Sequence, residues 1–364
     1  MQRILILLVS SLVISAVWAT GPARAADTDG LFRTISQASV SAHIVPRYKK
    51  LAAFGAGLSA AAKTYCQDRN ADSFTALDNA FRNYWTAWAS IRHIQFGPVH
   101  LENRGFRIQF WPDFRNKTSK QLARVLAAED ITALEKTTFA KTSIAVQGLP
   151  ALERLLTKGH EGFDGPKGAF ECALTVTITD NLFDIARGIS EDWNPTDGYS
   201  HVIALAGSKG SPYSDASEVT VELLQSLLGE LEASRDVRIG RPLGSTTDRA
   251  HPKQAEAWRS GLSRTLLLEA LKGAEDLYLS GGFDHALRDV GKAALADKIS
   301  GGFQKAIIDV SALDTSLYVA FKAPDGRIKL QAVRADLKSL TGLIATDLAV
   351  ALNISPGFNS RDGD

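Results

Sequence analysis

The chain has 364 residues, 45% hydrophobic and 22% charged, with 41 basic residues against 40 acidic ones. That length and apolar content suffice for two domains, or one large one, around a well-buried core. The balanced charge speaks against nucleic acid as a partner, which would leave a strong basic excess.

Residues 1–25, MQRILILLVSSLVISAVWATGPARA, combine Arg3, an apolar run and small residues at Ala23 and Ala25, the pattern of a signal peptide cleaved after Ala25. Its loss removes Arg3 and Arg24 and takes the formal charge from +1 to about −1. No cysteine near that site offers itself to a lipid, and no later apolar run is long enough to span a bilayer. The expectation is an exported protein of the periplasm or cell envelope, without a transmembrane segment after cleavage. In that oxidising setting the two cysteines, Cys66 and Cys172, are expected to form one long-range disulfide. A two-cysteine metal site is disfavoured, because neither has a histidine or second cysteine at ligand spacing.

Helical periodicity dominates the chain beyond the leader, and the expected class is all-α. Ile44, Tyr48, Leu51, Gly55, Leu58, Ala62 and Tyr65 alternate steps of four and three, placing small or apolar groups on one stripe. Pro46 sits in the first turn of this helix or kinks its entry. Further helices are expected over 73–95 and 118–130, from Leu149, and over 166–193, the last carrying Cys172. The stretches DWNPTDGYSH and GSKGSPYSD read as loops. Beyond them Val221, Leu224, Leu228 and Leu231 mark one helix, Trp258 to Leu277 another, and Val333 to Leu348 the last. These elements divide into helical bundles over 26–195 and 213–364, packed against each other. Two similar stretches, SGGFDHALRDV at 280–290 and SGGFQKAIIDV at 300–310, read as two helices entered through Gly-Gly turns, since a solenoid needs more repeats.

The richest chemistry lies in 81–117, where aromatics such as Trp85, Trp88, Phe110, Trp111 and Phe114 alternate with Arg82, Arg92, Arg104, Arg107 and Arg115. Aromatics at helical spacing usually belong to a core, but the segment after Gly97 and Pro98 breaks the helix. Planar guanidinium groups beside aromatic faces there suit an anion-binding wall for carboxylate, phosphate or sugar acid. No two histidines stand at zinc-protease spacing; His93 and His100 flank the FGP turn and are close enough in sequence to meet. No nucleophile elbow, phosphate loop or dinucleotide fingerprint occurs, so no catalytic residue is assigned.

Several segments together resemble the imelysin-like family of exported, iron-regulated envelope proteins, part of which is classed as metallopeptidases. They are VPRYKKLA at 45–52, WASIRHIQFGPV at 88–99, QGLPALERLL at 147–156, AEAWRSGLS at 255–263 and GFNSRDGD at 357–364. The resemblance implies two helical halves facing each other across a ligand site, and a Gly-x-His-x-x-Glu hallmark whose histidine and glutamate hold a metal. Gly148 and Glu153 match that hallmark, but Pro150 stands where the histidine would be. Proline donates no electron pair, which leaves one carboxylate where a catalytic zinc needs three ligands. Pro150 and Glu153 also suit a plain helix start.

The expected function is therefore a binding or iron-uptake accessory protein, with a small ligand or a metal ion such as iron as cofactor or cargo. Glu153, Arg92, Arg107, Arg115, Ser260 and Arg259 are the candidate pocket residues, Glu153 also the candidate metal ligand. The alternatives are a metallopeptidase with a degenerate motif and a module that docks other envelope proteins.

Overall fold

A computed structural model describes residues 28–354; the leader and the closing GFNSRDGD fall outside the described residues. All regular elements among them are helical, and none is long and apolar enough to cross a membrane.

Helix α1 (Thr28–Ala38) runs through a π-helical turn, Ser39–Ile44, into α2 (Val45–Gln67). Pro46 lies in the first turn of α2 and has no N–H to give to the preceding turn. A widened turn there, rather than a regular one, is consistent with the missing donor. Helix α3 (Ala71–Ala89) opens on a reciprocal cap, Asn70 accepting from the Ser73 N–H at 2.9 Å and Ser73 Oγ from the Asn70 N–H at 3.3 Å. It stops at Ala89, short of the expected 95, and residues 90–93 turn so that Arg92 and His93 leave the helix and are buried.

Helices α4 (Lys117–Ala128), α5 (Leu149–Leu156) and α6 (Gly168–Asp192) match the expected 118–130, Leu149 and 166–193. The stripe on α2 is buried as predicted, Tyr48, Leu51, Leu58, Ala62 and Tyr65 being fully covered. It packs along α6, and the disulfide Cys66–Cys172 ties the two helices together.

The second half is built on α7 (Ala216–Glu232), α8 (Ser263–Leu279), α9 (Ala293–Ser311) and α10 (Pro324–Gly342). α7 continues through a π-helical stretch, Ala233–Gly240, that carries Arg238. α8 begins five residues later than the apolar periodicity from Trp258 suggested. Ala257 at φ +49° and Gly261 at φ +71° prevent a helix across 255–262. That segment instead forms tight turns that reach toward the first half. The Gly-Gly reading needs one correction: Gly281–Gly282 do form a turn ahead of the helix Phe283–Asp289, but Gly301–Gly302 lie inside α9. Apolar contacts of Phe303 and Ile299 hold that second stretch helical despite its glycines.

α1 packs on α7 and α3 on α8, so the buried apolar residues of both halves form one continuous cluster.

Candidate functional site

Glycine is required at 148 for a steric reason. A Cβ there would lie 2.2 Å from the Ile108 carbonyl oxygen and 2.3 Å from that of Arg107. The chain thus enters α5 pressed against the segment 107–108, with Pro150 in the first turn. Around this entry Arg107 donates from Nε to Gln147 Oε1 at 2.8 Å and from Nη2 to Asn181 Oδ1 at 2.9 Å, and Asn181 donates to the Gln147 carbonyl at 2.9 Å. These bonds clip 107 to α5 and α6.

One turn on, Glu153 is 3% exposed. Its Oε1 accepts from the Ser260 N–H at 2.9 Å and from Ser260 Oγ at 2.8 Å, both donors coming from the turn ahead of α8. Burial pushes the Glu153 carboxyl above its ordinary value, against the pull of the two Ser260 bonds and of Arg259 and Arg154. Both bonds fall on Oε1, so the hydrogen bonds of the protein leave Oε2 for another partner.

Glu153 lines a cavity of about 290 Å³ whose walls include Trp85, Trp111, Phe114 and Trp258. Its charged lining is Arg154, Lys253 and Arg259 against Glu153 and Asp113. Asp113 is already engaged by the backbone N–H groups of Lys117 and Thr118, at 2.7 and 2.8 Å. Arg259 lies 4.3 Å over the Trp258 ring and makes no ion pair within 4 Å; Arg241 lies over Phe114. The aromatic faces hold these cations in place without neutralising them.

Trp111 and Pro112, joined by a cis peptide bond, line both this cavity and a larger one of about 550 Å³. The larger cavity lies between the FGP segment and α7. Beneath it is a buried charge network. Arg92 Nη1 donates to Glu256 Oε1, Gln109 Nε2 donates to the same oxygen at 2.5 Å, and Arg238 Nε donates to Glu256 Oε2 at 3.0 Å. Glu230 pairs with Arg238 at 2.9 Å and with Arg92 at 3.7 Å, and Trp88 Nε1 donates to Gln109 Oε1 at 2.7 Å. Burial alone would raise the Glu256 carboxyl, but the charges of Arg92 and Arg238 and the bonds from Gln109 and Arg92 outweigh it, and the group is held below its ordinary value. Two arginines and two glutamates thus neutralise one another across the two halves.

Next to this network is a histidine chain. His43 Nδ1 meets Asp276 Oδ2 at 2.7 Å, Arg47 pairs with the same oxygen at 2.8 Å, and His43 Nε2 meets His93 Nε2 at 2.8 Å. With Asp276 ionised, His43 donates from Nδ1, so its Nε2 must accept and His93 must donate from Nε2. His93 is then a neutral ring whose Nδ1 is an acceptor, and that atom is buried without a partner.

Burial drives the pKa of His43 from 6.5 to about 4, and that of His93 well down, His43 and the nearby arginines adding to the effect. The stability linked to these rings is therefore complete above the unfolded value and is lost as pH falls toward the folded one. For His43 the fall from pH 6.5 to about 4 corresponds to about 3 kcal/mol at ~1.4 kcal/mol per pH unit. Urea unfolding at pH 7 and pH 5 should show about 2 kcal/mol lost from His43, with His93 adding in the same direction. Equal midpoints at the two pH values would show that the rings are not buried in neutral form.

The candidate residues do not all converge. Glu153, Ser260 and Arg259 meet at the smaller cavity, while Arg92 lines the larger one at its buried charge network. Arg107 is used in the clip at the α5 entry, Arg115 is exposed, and neither lines either of these two cavities. His93 and His100 both line the larger cavity, but His93 is bonded to His43. Glu230, Glu256, Arg238 and Asp276 were not singled out from the sequence, which offers no local signal for them.

A metal ion can be tested on this donor set. At Glu153 the neighbouring motif position is Pro150, which has no donor, and the nearest charges are the cations Arg154 and Arg259. Among the described residues no three His, Cys, Asp or Glu side chains converge to hold a metal. The residues present do not fit a metal ion.

The described residues thus form an all-helical protein with two adjoining polar cavities, each lined by residues from before 155 and after 220. The imelysin family model matches residues 44–344, and the chain belongs to that family. Its fold is similar to that of an imelysin-like protein from Psychrobacter arcticum 273-4, with a TM-score of 0.76 at 22% identity over 91% of this chain and 98% of the other. It is also similar to a structure named as a putative iron-regulated protein A precursor from Parabacteroides distasonis ATCC 8503, with a TM-score of 0.73 at 12% identity over 87% and 94% of the two chains. No curated protein matches the sequence significantly.

Proposed function

We propose that this protein is an exported binding protein that takes a small organic anion into the cavity beside Glu153, the halves 26–195 and 213–364 closing on it from either side. The observation that carries the reading is the buried Glu153 carboxylate. It is fixed by Ser260 from the opposite half, in a cavity whose cations Arg154, Arg259 and Lys253 make no ion pair within 4 Å, the last two lying over the Trp258 ring. A ligand with a carboxylate for the cations, a hydroxyl for Glu153 and a flat face for Trp111 or Trp258 suits these groups; a sugar acid has the first two, and its C–H face supplies the third.

Export rests on the leader pattern of residues 1–25. A place in iron uptake rests on family context, and the donor set favours an organic ligand over a bare metal ion as the bound species. The retained carboxylate is then part of a recognition site, with no catalytic role assigned to it.

Trp111 and Trp258 report on this cavity directly. Titration with glucuronate and galacturonate, followed by tryptophan fluorescence, should saturate. Arg259→Ala should weaken it about tenfold to a hundredfold, the value of a charge-assisted hydrogen bond at about 1.5–3 kcal/mol. An unchanged affinity in Arg259→Ala would remove the cation from the site.

A further inference from the structure

The larger cavity has the opposite character from the one beside Glu153. Among its lining charges Arg92 and Arg238 are matched by Glu230 and by Glu256 behind it, which leaves Glu222 and Glu232 in excess. Neither has a cation within 4 Å; Glu222 accepts a 3.4 Å bond from Tyr213 and Glu232 has no side-chain hydrogen bond. Aromatic faces of Trp88, Phe96, Phe106 and Trp111 stand round the same space, and Phe106 is 57% exposed there. These are acceptors and π faces, the two kinds of group that attract an organic cation.

A second, independent observation points the same way. His93 lines this cavity, is 2% exposed, and its Nδ1 is a buried acceptor without a partner. The chain from Asp276 through His43 fixes that tautomer, so the nitrogen can accept a hydrogen bond but has no proton to offer. An unpaired buried acceptor costs free energy that a donor brought by a ligand recovers. A volume of about 550 Å³ is that of a small-molecule site rather than of a single water.

We infer that the cavity between the FGP segment and α7 is a binding site for a primary organic amine, its ammonium drawn to Glu222 or Glu232, which stand ten residues apart on α7 and act as separate carboxylates, with His93 as a further acceptor on the cavity wall and the body of the amine against the aromatic faces. The site is separate from the proposed anion site and does not depend on it. Because Trp111 and Pro112 line both cavities, occupants of the two would lie on either side of one partition.

Equilibrium titration of the full mature chain with tryptamine and with phenethylamine tests this, the uncharged alcohol analogue of each serving as control. Saturable amine binding is expected, at least tenfold tighter than the alcohol, and reduced tenfold or more in the double variant Glu222→Gln, Glu232→Gln. Both side chains are partly exposed and unpaired with cations, so that variant should fold, which its helical circular dichroism and unfolding midpoint would verify. A His43→Phe variant, which does not line the cavity but removes the bond that fixes the His93 tautomer, should also lose affinity, provided that its helical circular dichroism shows it folded. Equal binding of amine and alcohol, indifference to the double variant, or no amine binding at millimolar concentration would overturn the inference and show a water-filled cavity. The anion titration would be unaffected by any of these outcomes.

Discussion

Glu256→Gln should destabilise the protein by about 3–5 kcal/mol, the cost of removing one partner from a buried ion pair. Glu256 is 2% exposed and serves Arg92, Arg238 and Gln109 at once. Glutamine keeps a hydrogen-bond acceptor but no charge, so two buried guanidinium groups would be left with Glu230 alone. Since whole domains are stable by only about 5–15 kcal/mol, this single change removes a large share of the margin. Chemical denaturation compares the variant with Glu232→Gln, whose carboxylate makes no ion pair and whose loss should cost about 0.5 kcal/mol or less. Similar midpoints for the two variants would mean that the network is not a stabilising element of the fold.

Removing the disulfide should cost about as much. Cys66 and Cys172 are 106 residues apart, and closing a loop of that size in the unfolded chain is worth about 4–5 kcal/mol in the chain-entropy account. Because the bond joins α2 to α6, helices that already pack along each other, its loss should lower stability without changing helix content. The double variant Cys66→Ser, Cys172→Ser should therefore give the native circular dichroism spectrum and a lowered urea midpoint, and reducing agent should lower the wild-type midpoint but not that of the variant. No difference between oxidised and reduced wild type would remove the cross-link as a stabilising element.

Local pattern carried most of what is legible in the sequence. The stripe from Ile44 to Tyr65 is periodic over six turns, and one face of a long helix had to be buried; Tyr48, Leu51 and Leu58 are. The disulfide could be read from two cysteines and the oxidising compartment that the leader pattern led us to expect. Boundaries failed where a backbone conformation overrode side-chain periodicity. Trp258 and Leu262 continue the apolar spacing of α8, but Ala257 and Gly261 at positive φ keep them out of it.

The site was only partly legible, because its contacts join residues far apart in the chain. Glu153 and Ser260 are 107 positions apart, Arg92 and Glu256 164, and His43 and Asp276 233. No window of sequence contains such a pair. Glu153 and Ser260 were both marked through the segments that resemble the family, although nothing in either segment says that they touch. Arg107 was marked as a planar guanidinium close in sequence to aromatics, and Gln147 and Asn181 take up its donors. His43 and Arg238 sit in π-helical turns, a backbone feature that periodicity does not reveal.

Whether the Glu153 cavity recognises an organic anion with protein groups alone is tested most directly by calorimetric titration of the mature chain, with glucuronate in one series and ferric and ferrous iron in another. One-to-one binding of the sugar acid is predicted, weakened in both Arg259→Ala and Glu153→Gln, with no stoichiometric heat from iron salts. One-to-one binding of iron that disappears in Glu153→Gln, with none of the sugar acid, would contradict it.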